Sequence, residues 1–349
     1  MTNKGRIQVI GALKQYLLLL LLLAVATSAF ASVIDGTLNR GYSSVNTNTR
    51  YLGILIPIAP QHYGAILQKF KILKVIKIHS FVFEEGTIYK VPVVLAVQPL
   101  GGNLMRALLA QTMADNFDIK AFIYPGTSGA HISFPEMHIG DVVINTKSVN
   151  FGDFYMNPDG KMVADEYDGV SSLGKYLNQY INPTLEKYAA CAASRVAAIT
   201  QLPAWINNQH REMRVHIFYY GIQGSAPMWV TNKPFMRKTD HIFHEMDEDG
   251  GWYAGLVARM DNIPFIEIST ITDSPFEFAG RGLPLQDGHR RSGQQVVQNI
   301  SDMVALKLIK EYGISILHGE YPYPKKNPFP ALYYRTPLNP RKLLESCNK

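Results

Sequence analysis

Residues Ile119 to Gly129 read IKAFIYPGTSG, and this stretch decides the architecture. An apolar, β-branched run as far as Tyr124 feeds straight into Pro125-Gly126-Thr127-Ser128-Gly129. A short buried strand that empties into a glycine-rich turn is the unit from which open α/β sheets build ligand crevices at their carboxyl ends. Working back, Leu52 to Ile58 (LGILIPI) is another short apolar strand, closed by Ala59-Pro60 and followed by an amphipathic stretch through Lys69. Lys71 to His79 alternates like a half-buried strand, and Thr87 to Val91 and Val93 to Val97 read as two strands joined at Pro92. Gly101-Gly102-Asn103 opens a helical pattern that puts Leu104, Leu108, Leu109 and Met113 on one face.

Working forward, Ser171 to Thr200 is helical and Ala-rich, Arg214 to Tyr220 is a strand, and Gly250-Gly251 precedes a helix from Trp252 to Met260. Pro264 to Ile271 is a strand ending at Thr272-Asp273, and His289 to Tyr312 is a long amphipathic helix. Beyond it the chain is rich in Pro and Tyr and reads as an irregular surface tail. Alternating strands and helices with no repeat and no linker predict one α/β domain, with a largely parallel or mixed central sheet.

The first residues stand apart. A basic stretch, an apolar run from Leu17 to Ala26 with seven consecutive leucines, and Ala29-Phe30-Ala31 have the three parts of a cleaved secretion signal over residues 1–31. The ten-residue run falls short of the roughly 20 residues needed to span hydrocarbon. Removing 31 of the 349 residues leaves 318, enough for one large core. It also removes Lys4, Arg6 and Lys14, so the formal +6 becomes 31 basic against 28 acidic residues. That excess is too small and dispersed to grip a polyanion, so no nucleic-acid partner is expected, and none at the membrane once the signal is cut. At 47% hydrophobic and 18% charged the chain is an ordered globular protein. The expected location is secreted or extracytoplasmic.

Cys191 and Cys347 are the two cysteines. Whether they pair depends on a Cα separation that the sequence does not give. Asn299-Ile300-Ser301 is a glycosylation triplet of a kind that also arises by chance.

Four segments follow predicted strands and so qualify as site: Ala59 to His62, Pro99 to Asn103, Gly126 to Gly129, and Thr272-Asp273. The Gly126–Gly129 turn has the physics of a cradle for an anion or water, although it is also an ordinary tight turn. Asp273 suits a general acid, because burial raises a carboxyl toward the working range, although from the residues alone a helix or turn cap is the commoner use of an aspartate there. Trp229 offers a stacking surface or fills core. Glu245, Asp247, Glu248 and Asp249 read as a solvated loop, or as carboxylates able to hold a sugar diol. His241 and His244 lack a third ligand at a recognisable interval, so no metal site is expected.

In this order the segments resemble the nucleoside phosphorylase and nucleosidase superfamily. Gly53-Ile54-Leu55-Ile56-Pro57, Gly101-Gly102-Asn103, FIYPGTSGAHISFPEMHIGDVVI (Phe122 to Ile144) and IPFIEISTITD (Ile263 to Asp273) carry the likeness. The signal peptide, RYLGILIP and the length are similar to the secreted plant bark storage and wound-inducible branch. The resemblance implies a three-layer α/β/α sandwich around a mixed, partly barrel-like sheet. It also implies a lead-in at 32–49, a phosphorylase-like domain over 50–315 and a tail from 316 to 349. It makes Asp273 the acid that protonates a departing purine, and Thr127 and Gly129 the holders of the attacking water or phosphate. Gly102 marks the second glycine turn and Trp229 packs on the base; the family's Met-Glu pair that grips ribose falls on Asp249-Gly250 without a gap, and a short insertion offers Met246-Asp247, or Glu248, in that role. Gln61 stands where hydrolytic members carry the glutamate that activates water, and an amide is no general base. The implied partner is a purine nucleoside, with phosphate as co-substrate, no cofactor, and a homo-oligomeric assembly. The alternative is a catalytically silent storage or wound-response protein of the same fold.

Overall fold

The computed structural model describes residues 49–56, 64–97, 102–131, 137–152, 154–156, 158–160, 162–164, 180–202, 214–226, 230–274, 289–329 and 340–347. The signal segment, Gln61 and Trp229 lie outside the described residues.

In chain order the elements are β1 (Arg50–Ile56), α1 (Gly64–Lys69), β2 (Phe70–Ile78), β3 (Phe81–Ile88), β4 (Val91–Val97), α2 (Gly102–Asn116) and β5 (Asp118–Ala130). There follow β6 (Val142–Asn150), β7 (Phe154–Met156), β8 (Met162–Ala164), α3 (Pro183–Ala197), β9 (Ile217–Ser225), α4 (Lys233–Phe243) and β10 (Asp247–Glu248). The chain ends with α5 (Gly251–Met260), β11 (Phe265–Asp273), α6 (His289–His318) and α7 (Pro340–Cys347). Nine strands form one mixed sheet in the order β10-β9-β6-β11-β5-β1-β4-β3-β2, and β7 pairs with β8 in a separate ribbon.

Period-two alternation in β1 explains the three layers. Leu52, Ile54 and Ile56 face a core shared with Leu185 and Ala189 of α3 and Val304 and Leu308 of α6. Tyr51 and Leu55 face the opposite core, with Leu109 and Met113 of α2 and Ala254 and Val257 of α5. Fully burying a side chain of this kind contributes about 1.5–3 kcal/mol. The sheet stays open at β2, whereas at the other end it curls: β10 pairs in parallel with β9 and antiparallel with β5. That curl is the partly barrel-like character expected of the sheet.

Four expectations change. Pro92 lies inside β4, opposite Thr87; the reversal falls at Tyr89-Lys90, both at positive φ as a two-residue hairpin requires. Leu104 and Leu108 are 68% and 46% exposed, and α2 turns Leu109, Ala110 and Met113 inward instead. The 316–349 tail is not irregular throughout, since α6 runs on to His318 and Pro340–Cys347 is helical. Finally, Gly126 to Gly129 is no turn, because β5 passes through it to Ala130.

Helix ends follow local chemistry. Asn182 and Asn232 cap α3 and α4 by accepting from the amides of Thr184 and Phe235. Asn299 sits within α6 with Ser301 fully buried beside it, so the glycosylation triplet occupies a helix rather than a loop. Cys191 and Cys347 pair, with Cα atoms 5.8 Å apart and a sequence separation of 156, tying α7 to α3. Cys347→Ser is expected to lower unfolding free energy by about 2–4 kcal/mol, chiefly by freeing the unfolded chain. Denaturant melts of the two proteins check it, and coincident curves would mean the link contributes nothing.

Candidate active site

The site is built on the far half of β5. Pairing between β1 and β5 stops at Ile54 opposite Ile123, while β11 stays beside β5 up to Asp273. On its β1 side, β5 is then unpaired until β10 meets Gly129 and Ala130. Pro125, which has no N–H to give, falls in this gap, and so the sheet tolerates a proline in a central strand. The gap opens at the carboxyl ends of β1 and β5, the position of ligand crevices in sheets of this kind.

Gly129 is the point of convergence. It is in register with Asp273 of β11 on one side and Glu248 of β10 on the other. A β-carbon on Gly129 would stand 3.0 Å from Asp273 Oδ2, so a larger residue would push the carboxyl outward by a few tenths of an ångström, whereas glycine lets it lie against the strand. Thr127, partly exposed, is two residues earlier and pairs with Thr270. The structure therefore brings Asp273, Gly129, Thr127 and the Glu248 backbone together. Thr272 donates to Asp273 Oδ1 at 2.9 Å and reaches the Ser128 carbonyl at 3.3 Å.

The next wall comes from α2 and the loop before α5. Gly102 opens α2 at φ 70°, and the neighbouring Asn103 donates to the Ala226 carbonyl at 2.8 Å. One turn on, Arg106 pairs with Asp249 at 3.3 Å, and its guanidinium lies 6.0 Å from the centre of the Tyr124 ring. Asp249 also accepts from the Gly250 amide at 2.6 Å. Any side chain on Gly126 would overlap the Asp249 carboxyl.

The acidic run is not a solvated loop. Glu245 and Asp247 are fully buried because distant residues receive them: His131 contacts Glu245 at 3.3 Å, and Ser128 donates to Asp247 at 2.7 Å. Burial pushes the Asp247 carboxyl up to about 7, against the opposing pull of the Ser128 hydroxyl. Glu267 of β11 accepts from Ser148 at 3.0 Å; burial first, then Asp249 and Asp247, raises its carboxyl well above the ordinary range. Burial likewise raises the Tyr124 phenol.

Arg106, Tyr124 and the buried role of Asp247 are not evident from the sequence, which marks Thr272 only as part of a strand-end segment. One signal was available: Arg106 is the sole basic residue of an otherwise neutral and acidic helix. His241 and His244 are exposed, and among the described residues no group of three or more His, Cys, Asp or Glu is placed to hold a metal ion.

This arrangement of an α/β/α sandwich, a glycine-lined strand and a terminal carboxyl defines a class. The chain matches the Phosphorylase superfamily over residues 51–310 and belongs to it. Among solved structures, it is similar to the 5′-methylthioadenosine/S-adenosylhomocysteine nucleosidase of Campylobacter jejuni, with TM-score 0.54 and 17% identity over 75% of this chain and 99% of that one. It is also similar to the Neisseria meningitidis nucleosidase solved with methylthio-immucillin-A, with TM-score 0.54 and 15% identity over 74% and 98% of the two chains. A third is the futalosine hydrolase of Helicobacter pylori strain 26695, with TM-score 0.52 and 15% identity over 73% and 97%. At these identities the likeness is one of fold. No curated protein sequence matches.

Proposed function

We propose that this chain binds a purine nucleoside and breaks its N-glycosidic bond, with Asp273 protonating the departing base. The observation that carries this reading is the Asp273 carboxyl lying against Gly129 at the mouth of the β5 gap. As the bond to the sugar breaks, charge develops on both fragments: the base must be neutralised, and the sugar becomes oxocarbenium-like. Thr127 and Gly129 are the proposed place for the incoming oxygen, and Glu248, whose backbone pairs with Gly129, is the proposed partner of the sugar hydroxyls. Gln61, an amide, cannot take a proton from water, which favours phosphate as the attacking group. Trp229 is the proposed packing surface for the base. The family membership and the nucleoside analogue held by the Neisseria neighbour support the ligand class.

We further propose that residues 1–31 are removed and that the mature protein is extracytoplasmic and oligomeric. The Cys191–Cys347 link supports this location, since disulfides persist in oxidising compartments. Among the described residues no helix is long and apolar enough to cross a membrane.

A second reading, a silent storage or wound-response protein of the bark storage branch, draws its support from Gln61. One assay separates the two. Purified mature protein is incubated with inosine, adenosine and methylthioadenosine, with and without phosphate, and free base is followed. Phosphate-dependent release is expected; neither release nor calorimetric binding would overturn the proposal in favour of storage.

A further inference from the structure

A hydroxyl has one proton to donate, yet Thr272 Oγ1 lies between two acceptors, Asp273 Oδ1 at 2.9 Å and the Ser128 carbonyl at 3.3 Å. Thr272 is buried, so water does not supply a replacement. The Ser128 carbonyl is held in place: its own side chain is fastened to Asp247 at 2.7 Å, and its residue pairs with Ile271 of β11. The hydroxyl thus has two satisfied orientations over a fixed frame, and each suits one protonation state of Asp273. When Asp273 is a neutral acid with its proton on Oδ2, Oδ1 needs no strong donor and Thr272 can give its own proton to the Ser128 carbonyl. When Asp273 is a carboxylate, Thr272 donates to it instead.

We propose that Thr272 is a positioning residue whose hydroxyl turns to Oδ1 as Asp273 gives up its proton from Oδ2, so that the anion is held in place once it forms. The assignment rests on the reaction proposed above. In that step the proton leaves a carboxyl oxygen of Asp273 for the ring nitrogen of the departing base. The electron pair of the sugar–base bond goes to the base, and Thr272 rotates its O–H from the Ser128 carbonyl to Asp273 Oδ1. A donor to the anion favours ionisation, so removing the hydroxyl raises the proton affinity of Asp273. Among the described residues, the other titratable groups on these strands and at their ends are Asp118, Lys120, Tyr124 and His131 for β5, Asp247 and Glu248 for β10, Glu267 on β11, and Asp141 and Lys147 for β6; the substitutions below leave all of them in place.

The test uses the full mature protein as wild type, Thr272→Val and Thr272→Ser. Asp273 is titrated by carboxyl carbon-13 NMR, with the resonance identified by its loss in Asp273→Asn, and base release is measured in parallel. Thr272→Val should move the Asp273 midpoint upward by about one pH unit and lower kcat about tenfold with KM little changed. Thr272→Ser should restore both. An unmoved midpoint in Thr272→Val, or a serine variant that behaves like valine, would overturn the assignment. The titration needs no turnover, so a wild type that releases no base sinks the proposed reaction while the NMR result still judges Thr272.

Discussion

Asp273→Asn is expected to lower kcat for base release by a factor of about 10²–10⁴, the usual worth of a positioned general acid. Asparagine keeps the shape, and its carbonyl can still accept from Thr272. It cannot hand over a proton, so the purine must leave as an anion. Nucleoside binding should change only a few-fold, because the lost interaction forms mainly in the transition state. Steady-state release, with calorimetry for binding, separates the two quantities. Undiminished release in the variant would remove Asp273 from the chemistry.

The second large effect concerns stability. Asp247 is wholly buried with its carboxyl raised to about 7, against 3.8 for the free group. Between those values the folded chain holds a proton that the unfolded chain has lost, so stability falls as pH rises from about 4 to about 7 and then levels off. Integrated over the shift, the loss is about 4 kcal/mol. Glu267, raised for the same first reason, adds in the same direction. Asp247→Asn mimics the protonated acid, so it should unfold at much higher denaturant than wild type at pH 8 and little higher at pH 4. Parallel melts at the two values check this. An equal gap at both would show that Asp247 does not titrate in the folded state.

The layers were expected from the resemblance, and the unbroken apolar run of β1 shows why they form: Leu52, Ile54 and Ile56 enter one core and Tyr51 and Leu55 the other. The β3–β4 reversal was not, since Tyr89 and Lys90 adopt left-handed backbone without the Gly or Asn that announces it. Pro125 and the glycines read as a turn because local propensity favours one. What extends β5 through them is the ladder from β11, more than a hundred residues away. Distance also hid the acids: Glu245 and Asp247 look solvated until His131 and Ser128 are brought beside them. That Asp273 and Gly129 fall near the ends of β11 and β5 was legible because the apolar runs mark those ends, while the chemistry assigned to them stays part of the proposal. Gln61 and Trp229 fall outside the described residues and stay part of the proposal.

The open edge of the sheet bears on how much of this protein a compartment can hold. A bare strand edge invites a second copy to add its own strand, and accumulation makes that encounter frequent. Here the edge is β2, and its sequence FKILKVIKI places Lys71, Lys74 and Lys77 along nine residues. Two copies meeting edge to edge would align like charges, so crowding raises repulsion rather than fibre growth. Among the described residues, the open edge thus carries the charge that discourages strand addition by a second copy.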